Sequence, residues 1–108
     1  RKVPSLPPGD HRLTRLKVKI DDIDVNRHVN NARYVNWAVN CYDPEFISLH
    51  TPDTIEANYL LEGHHDEMIN ILTAPCEGEE NAYIHSVTRE SDGAELCRLR
   101  MSWKENRQ

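Results

Sequence analysis

Between Ala32 and Tyr42 the only polar residues are Arg33, Asn36 and Asn40, a narrow stripe at helical spacing. Ala32, Tyr34, Val35, Trp37, Ala38, Val39, Cys41 and Tyr42 fill the rest. A helix that apolar on most of its circumference has to be enclosed by other elements. On either side of it the periodicity changes from helical to two. Ahead of it, Leu16, Val18 and Ile20 alternate with Arg15, Lys17 and Lys19 in a strand spanning Leu13 to Ile20. After Thr51-Pro52, Ile55, Ala57, Tyr59 and Leu61 share a face, and further strands are expected over 68–73 and 83–89. The last strand sets Cys97, Leu99, Met101 and Trp103 against Arg98, Arg100, Ser102 and Lys104. Polar turns over 63–66 and 75–81, and the tight turn Ser91-Asp92-Gly93, are short enough to imply antiparallel pairing. The fold class expected is α+β: a curved, five-stranded antiparallel sheet wrapped around a long central helix.

Local signals mark the ends of the helices. Asn30 or Asn31 can N-cap the long helix. Asp43-Pro44 ends it, and Pro44 can open a short second helix through Leu49 with Asp43 as its cap. Residues 1–11, with Pro4, Pro7, Pro8 and Gly9, read as an arm or linker from a preceding domain, and 12–108 as a single domain. The start, Arg1-Lys2-Val3-Pro4, has neither an initiator Met nor a signal peptide's apolar stretch, so the chain reads as part of a longer protein.

Charge and cysteine content narrow the function. A net charge of −5 argues against general nucleic-acid binding, and no apolar run approaches the ~20 residues that cross a bilayer. Cys41, Cys76 and Cys97 show no CxxC spacing, which suits reduced thiols and a cytoplasmic location better than disulfides or a zinc site. Arg1, Lys2, Arg12, Arg15, Lys17 and Lys19 cluster near the start, and an acidic partner could meet them or the Arg98/Arg100 face.

The chemistry concentrates in Asp22-Ile-Asp24-Val-Asn26-Arg-His28-Val-Asn30-Asn31. If its backbone is extended, Asp24, Asn26, His28 and Asn30 project to one side while Val25 and Val29 face the other. An acid, an amide and an imidazole on one face can build a hydrolytic site. The helix that follows points its free N–H groups and positive end at the same place, where a thioester oxyanion would be stabilised. His64-His65-Asp66 lie in a polar turn and read as solvated side chains rather than metal ligands, and no metal or cofactor is expected.

The run DIDVNRHVNNARYVNW resembles the D-x-D-x-N-x-H-V-N-N-x-x-Y-x-x-W signature of hotdog-fold thioesterases. Its DVN-x-HVNN form is similar to that of acyl-acyl carrier protein (acyl-ACP) thioesterases, and the likeness covers roughly residues 12–104. The resemblance implies a hotdog fold, two such domains in tandem with the signature in the C-terminal one, and hydrolysis of fatty acyl thioesters. The partner implied is an acyl carrier protein with its phosphopantetheine-linked acyl chain. Position by position it implies Asp24 as the acid that holds or activates its neighbours, Asn26 as the amide meeting substrate or water, and His28 as the site imidazole. Asn30, Asn31, Tyr34 and Trp37 complete the signature as substrate-binding residues. Tyr59-Leu-Leu-Glu62-Gly63 aligns with the family's glutamate and nominates Glu62 as general base. Plant members carry a Cys after that Glu; Gly63 stands here, as in a bacterial-type enzyme, and direct attack by water is favoured over a thiol nucleophile. The same chemistry on coenzyme A, a non-catalytic dimerisation or acyl-binding domain, and a hotdog dehydratase are the alternatives. Hotdog domains work in pairs, so a homodimer or an N-terminal hotdog partner is expected.

Overall fold

The computed structural model describes residues 2–107. The chain runs through β1 (Arg12–Lys17), a 3-10 turn (Ile20–Asp22), α1 (Asn31–Val39), α2 (Pro44–Leu49), β2 (His50–Tyr59), β3 (Met68–Pro75), β4 (Ala82–Arg89) and β5 (Glu95–Glu105). The five strands form one antiparallel sheet in the order β1-β3-β4-β5-β2. The two edge strands are consecutive in sequence, so α1 and α2 carry the chain from one edge of the sheet to the other across its face.

The alternation of β5 translates directly into packing. Cys97, Leu99 and Met101 are fully buried and Trp103 nearly so, and they form the core with Val18, Ile69, Ile71, Val87 and the Tyr34, Trp37 and Ala38 face of α1. Asn30 caps α1 by accepting a hydrogen bond from the Ala32 N–H at 3.0 Å. Pro44 opens α2 as expected, with Asp43 at the N-cap position, but the Asp43 carboxylate accepts from Arg12 at 3.1 Å and makes no capping bond. In the β4–β5 turn Gly93 has φ +70°, a conformation that costs glycine nothing.

Two expected element bounds are corrected. The first strand ends at Lys17, not Ile20: the chain turns into the 3-10 segment and leaves Ile20 69% exposed. The long helix stops at Val39, with Asn40 as C-cap, rather than continuing to Tyr42. Cys41 and Tyr42 are instead released into the turn, where Tyr42 joins an aromatic cluster with Phe46, Tyr83 and Trp103. Several of the cations expected to meet an acidic partner form ion pairs within the domain. Arg15 makes a bidentate pair with Glu90 at 2.6 and 2.8 Å. Arg98 pairs with Glu95, and Arg100 with Glu56 and Glu79. The segment ahead of β1 rests against the sheet. Val3 is buried, its N–H donating to Asn58 Oδ1 and its carbonyl accepting from Arg98.

His85 is fully buried in β4. Its ring sits between the Tyr42 hydroxyl (Nε2, 2.7 Å) and the Thr73 hydroxyl (Nδ1, 2.8 Å). Burial pushes its pKa down to about 4. The folded state therefore refuses a proton that the unfolded chain binds below about pH 6.5. Stability contributed by neutral His85 is complete above that pH and falls as pH drops toward 4. The loss should reach about 3 kcal/mol, at 1.36 kcal/mol per pKa unit. Urea melts of wild type and H85Q across this window should show the wild-type slope flattened in the variant; equal slopes would exonerate His85.

Candidate active site

The signature segment does not run extended. Ile23 and Val29 pair as an antiparallel bridge and the Asp24 N–H donates to the His28 carbonyl at 2.9 Å, so residues 24–28 form a tight turn. Asp24 organises it from within: Oδ1 accepts from the Asn26 N–H at 2.9 Å and the His28 N–H at 3.3 Å. Arg27 takes φ +66°, which the turn imposes on it. The expected one-sided comb of Asp24, Asn26, His28 and Asn30 is thus replaced by a loop, because a carboxylate two residues ahead of an N–H competes with extended pairing. Val25 is correspondingly 98% exposed while Val29 is buried, so the two do not share a face.

Long-range pairing then brings the second element in. The Val29 N–H donates to the Gly63 carbonyl at 2.8 Å, and His28 and His64 form an antiparallel bridge. This stitches the segment after β2 to the loop before α1. It places Glu62 Oε2 3.1 Å from His28 Nε2, although the two residues are 34 apart in the chain. Both line an open cleft of about 390 Å³ with Asp24, Asn30, Asn31, Tyr34 and the Tyr59–Leu61 segment. The cleft opens at the N-terminus of α1. Asn26 and Trp37 lie outside its lining. Asn26 is exposed in the turn, and Trp37 is buried with its ring 5.2 Å from that of Tyr34, edge to face.

Capping consumes part of the helix's N-terminal donors. The Ala32 N–H is taken by Asn30 Oδ1 and the Arg33 N–H by the Asn30 carbonyl. Asn31 is then the residue whose N–H stands at the mouth of the helix.

Gly63 has a steric cause in this arrangement. A Cβ there would lie 2.9 Å from both the Tyr34 hydroxyl and Val29 Cγ2. G63A should cost about 1–3 kcal/mol. Combining it with Y34F, which removes one of the two clashing atoms, should recover part of that loss in thermal melts. A loss unchanged by Y34F would mean that Val29 alone sets the limit.

The thiols are placed to be inert. Cys41 and Cys97 are buried; burial raises the Cys41 thiol and pushes Cys97 up to about 12. Cys76 is raised as well. None of the three lines the cleft, and a thiol held protonated is a poor nucleophile.

In the sequence His64 reads as a solvated turn residue rather than a ligand, and Glu67 carries no signal of its own. Glu67 Oε1 accepts from the His64 N–H at 2.6 Å and lies 3.6 Å from its Nδ1. His65 turns instead toward Asp66, at 3.6 Å. The signal available was spacing: His64 follows Glu62 by two, which in extended backbone puts both on one side.

Residues 7–105 match the family described as the acyl-ACP thioesterase C-terminal domain. The chain is 33% identical over 75 residues to the chloroplastic oleoyl-acyl carrier protein thioesterase of Coriandrum sativum, covering 69% of this chain and 20% of that protein. It is 29% identical over 108 residues to the chloroplastic palmitoyl-acyl carrier protein thioesterase of Cuphea hookeriana, covering 96% of this chain and 26% of that one. The structure of the 12:0-ACP thioesterase from Umbellularia californica superposes with a TM-score of 0.82 at 26% identity, over 98% of this chain and 40% of that chain. The chain therefore spans a minor part of the length of the relatives it matches. The architecture is the hotdog fold of these thioesterases.

Proposed function

We propose, from the premise that this chain belongs to the acyl-ACP thioesterase family, that it is the site-bearing hotdog domain of an enzyme hydrolysing fatty acyl thioesters on acyl carrier protein. The observation that carries the reading is the contact between His28 and Glu62, 3.1 Å apart in a cleft at the N-terminus of α1. Glu62 accepts a proton from water, and the hydroxide formed attacks the thioester carbonyl carbon. The developing oxyanion is met by the Asn31 N–H and by the Asn30 amide, whose oxygen is already committed to Ala32. Collapse breaks the C–S bond, and the departing sulfur takes a proton from the His28–Glu62 pair. The products are a free fatty acid and the carrier's thiol. Asp24 holds the loop that aims His28 rather than touching the substrate. Tyr34 and the apolar Leu60 and Leu61 supply the acyl-facing wall.

Leu60, Leu61, Tyr59 and Ile55 are 44–52% exposed along and just beyond edge strand β2. An apolar edge of this kind is suited to a second hotdog domain, either an N-terminal one or a second copy of this chain. That partner would close the cleft, and a dimeric mass in light scattering is the check for the second case. With the sheet-facing arginines paired internally, recognition of the acidic carrier falls to cations near the cleft, of which Arg27 is exposed on the turn itself.

The test is turnover of one acyl group presented on carrier protein and on coenzyme A, in protein extended to include any preceding hotdog domain. Higher kcat/KM on the carrier supports the reading. Preference for coenzyme A would transfer the same site to the other carrier, and no hydrolysis of either would leave a binding domain.

A further inference from the structure

His28, Glu62 and His64 converge: one ligand atom from each lies within 4.8 Å of the other two. The rings of His28 and His64 stand edge to face, 5.4 Å apart at 80°. Two imidazoles and a carboxylate on a shared point are the donor set of a tetrahedral zinc site with its fourth position open. Bonds of about 2.0–2.1 Å require donors about 3.4 Å apart, a contraction that falls to side chains with 37–64% of their surface exposed. The bridge between His28 and His64 and the 2.8 Å bond from the Val29 N–H to the Gly63 carbonyl hold the two segments side by side.

A supporting carboxylate is also in place. Glu67 faces His64 Nδ1 at 3.6 Å, which leaves Nε2 as the ligating nitrogen. Glu67 is itself held by Arg89, 3.3 Å from its other oxygen. A carboxylate behind the distal nitrogen of a histidine fixes its tautomer and raises its basicity, as around many bound metals.

We propose that His28, Glu62 and His64 bind a single zinc ion, and that the ion acts as an inhibitor by occupying the two groups assigned to water activation. The binding half stands on geometry alone; the inhibitory half rests on the proposed function. Titration of Zn²⁺ against a chromophoric competitor should give one site per chain. H64A should weaken it at least tenfold, and E67Q, which spares all three ligands, by about tenfold. H65A should leave it unchanged, and Mg²⁺, which prefers oxygen ligands, should not compete. Circular dichroism of H64A and E67Q verifies that the fold is intact. Equal affinity in wild type and H64A, or a loss that follows H65A, would overturn the site. Zinc should also suppress thioester turnover, reversibly by chelator. Stoichiometric zinc at this site with turnover unaffected would leave the site standing and remove His28 and Glu62 from the mechanism.

Discussion

Glu62→Gln is expected to lower kcat by about 10²–10⁴-fold, the range over which a positioned general base contributes, while KM moves far less. Gln keeps the size of the side chain and a hydrogen-bonding oxygen toward His28, so the 3.1 Å contact can persist in altered form. What it lacks is a group that can accept a proton from water at neutral pH. Because Glu62 is 64% exposed in its side chain, its loss should leave the melting temperature nearly unchanged. Steady-state kinetics and thermal melts on the same preparation separate the two effects. A variant turning over at the parental rate would take the base role away from Glu62.

Asp24 provides the complementary case, and the expected pattern differs between two substitutions. Asp24→Ala deletes the acceptor for the Asn26 and His28 N–H groups at 2.9 and 3.3 Å. The turn then loses the interaction that fixes its shape, including the positive φ at Arg27. Displacing His28 by about 1 Å can cost about 10²-fold in rate. Asp24→Asn retains an oxygen at the same place and cannot act as a base, so its rate should stay near the parental one. A carboxylate that activates water would show the reverse: both variants would fail, and Glu62→Gln would be mild. Comparing kcat for the three proteins therefore decides which carboxylate does the chemistry.

Much of the architecture is written locally. The alternation from Cys97 to Trp103 specifies which face of β5 is buried whatever it pairs with. Asn30 caps α1 and Asp43-Pro44 starts α2 through contacts within a few residues. The signature linked Asp24, His28 and Asn30 to a site, and the resemblance to the thioesterase family nominated Glu62.

Tertiary structure decided the rest. Extended or turned backbone at Asp24–His28 depended on whether the Asp24 carboxylate found N–H partners and whether Val29 found Gly63 in the segment after β2. Ile20 continued the alternation of β1 yet lies exposed, because the chain had already turned into the 3-10 segment. Arg100 read as part of a basic face until pairing of β2 with β5 set Glu56 beside it, whereas Glu95 reaches Arg98 from three residues away on the same strand. Residue spacing along the chain carries periodicity, capping and turn chemistry, all short-range interactions. Contacts between residues 34 apart, such as His28 with Glu62, exist only once the bridge between His28 and His64 has placed the two backbones side by side.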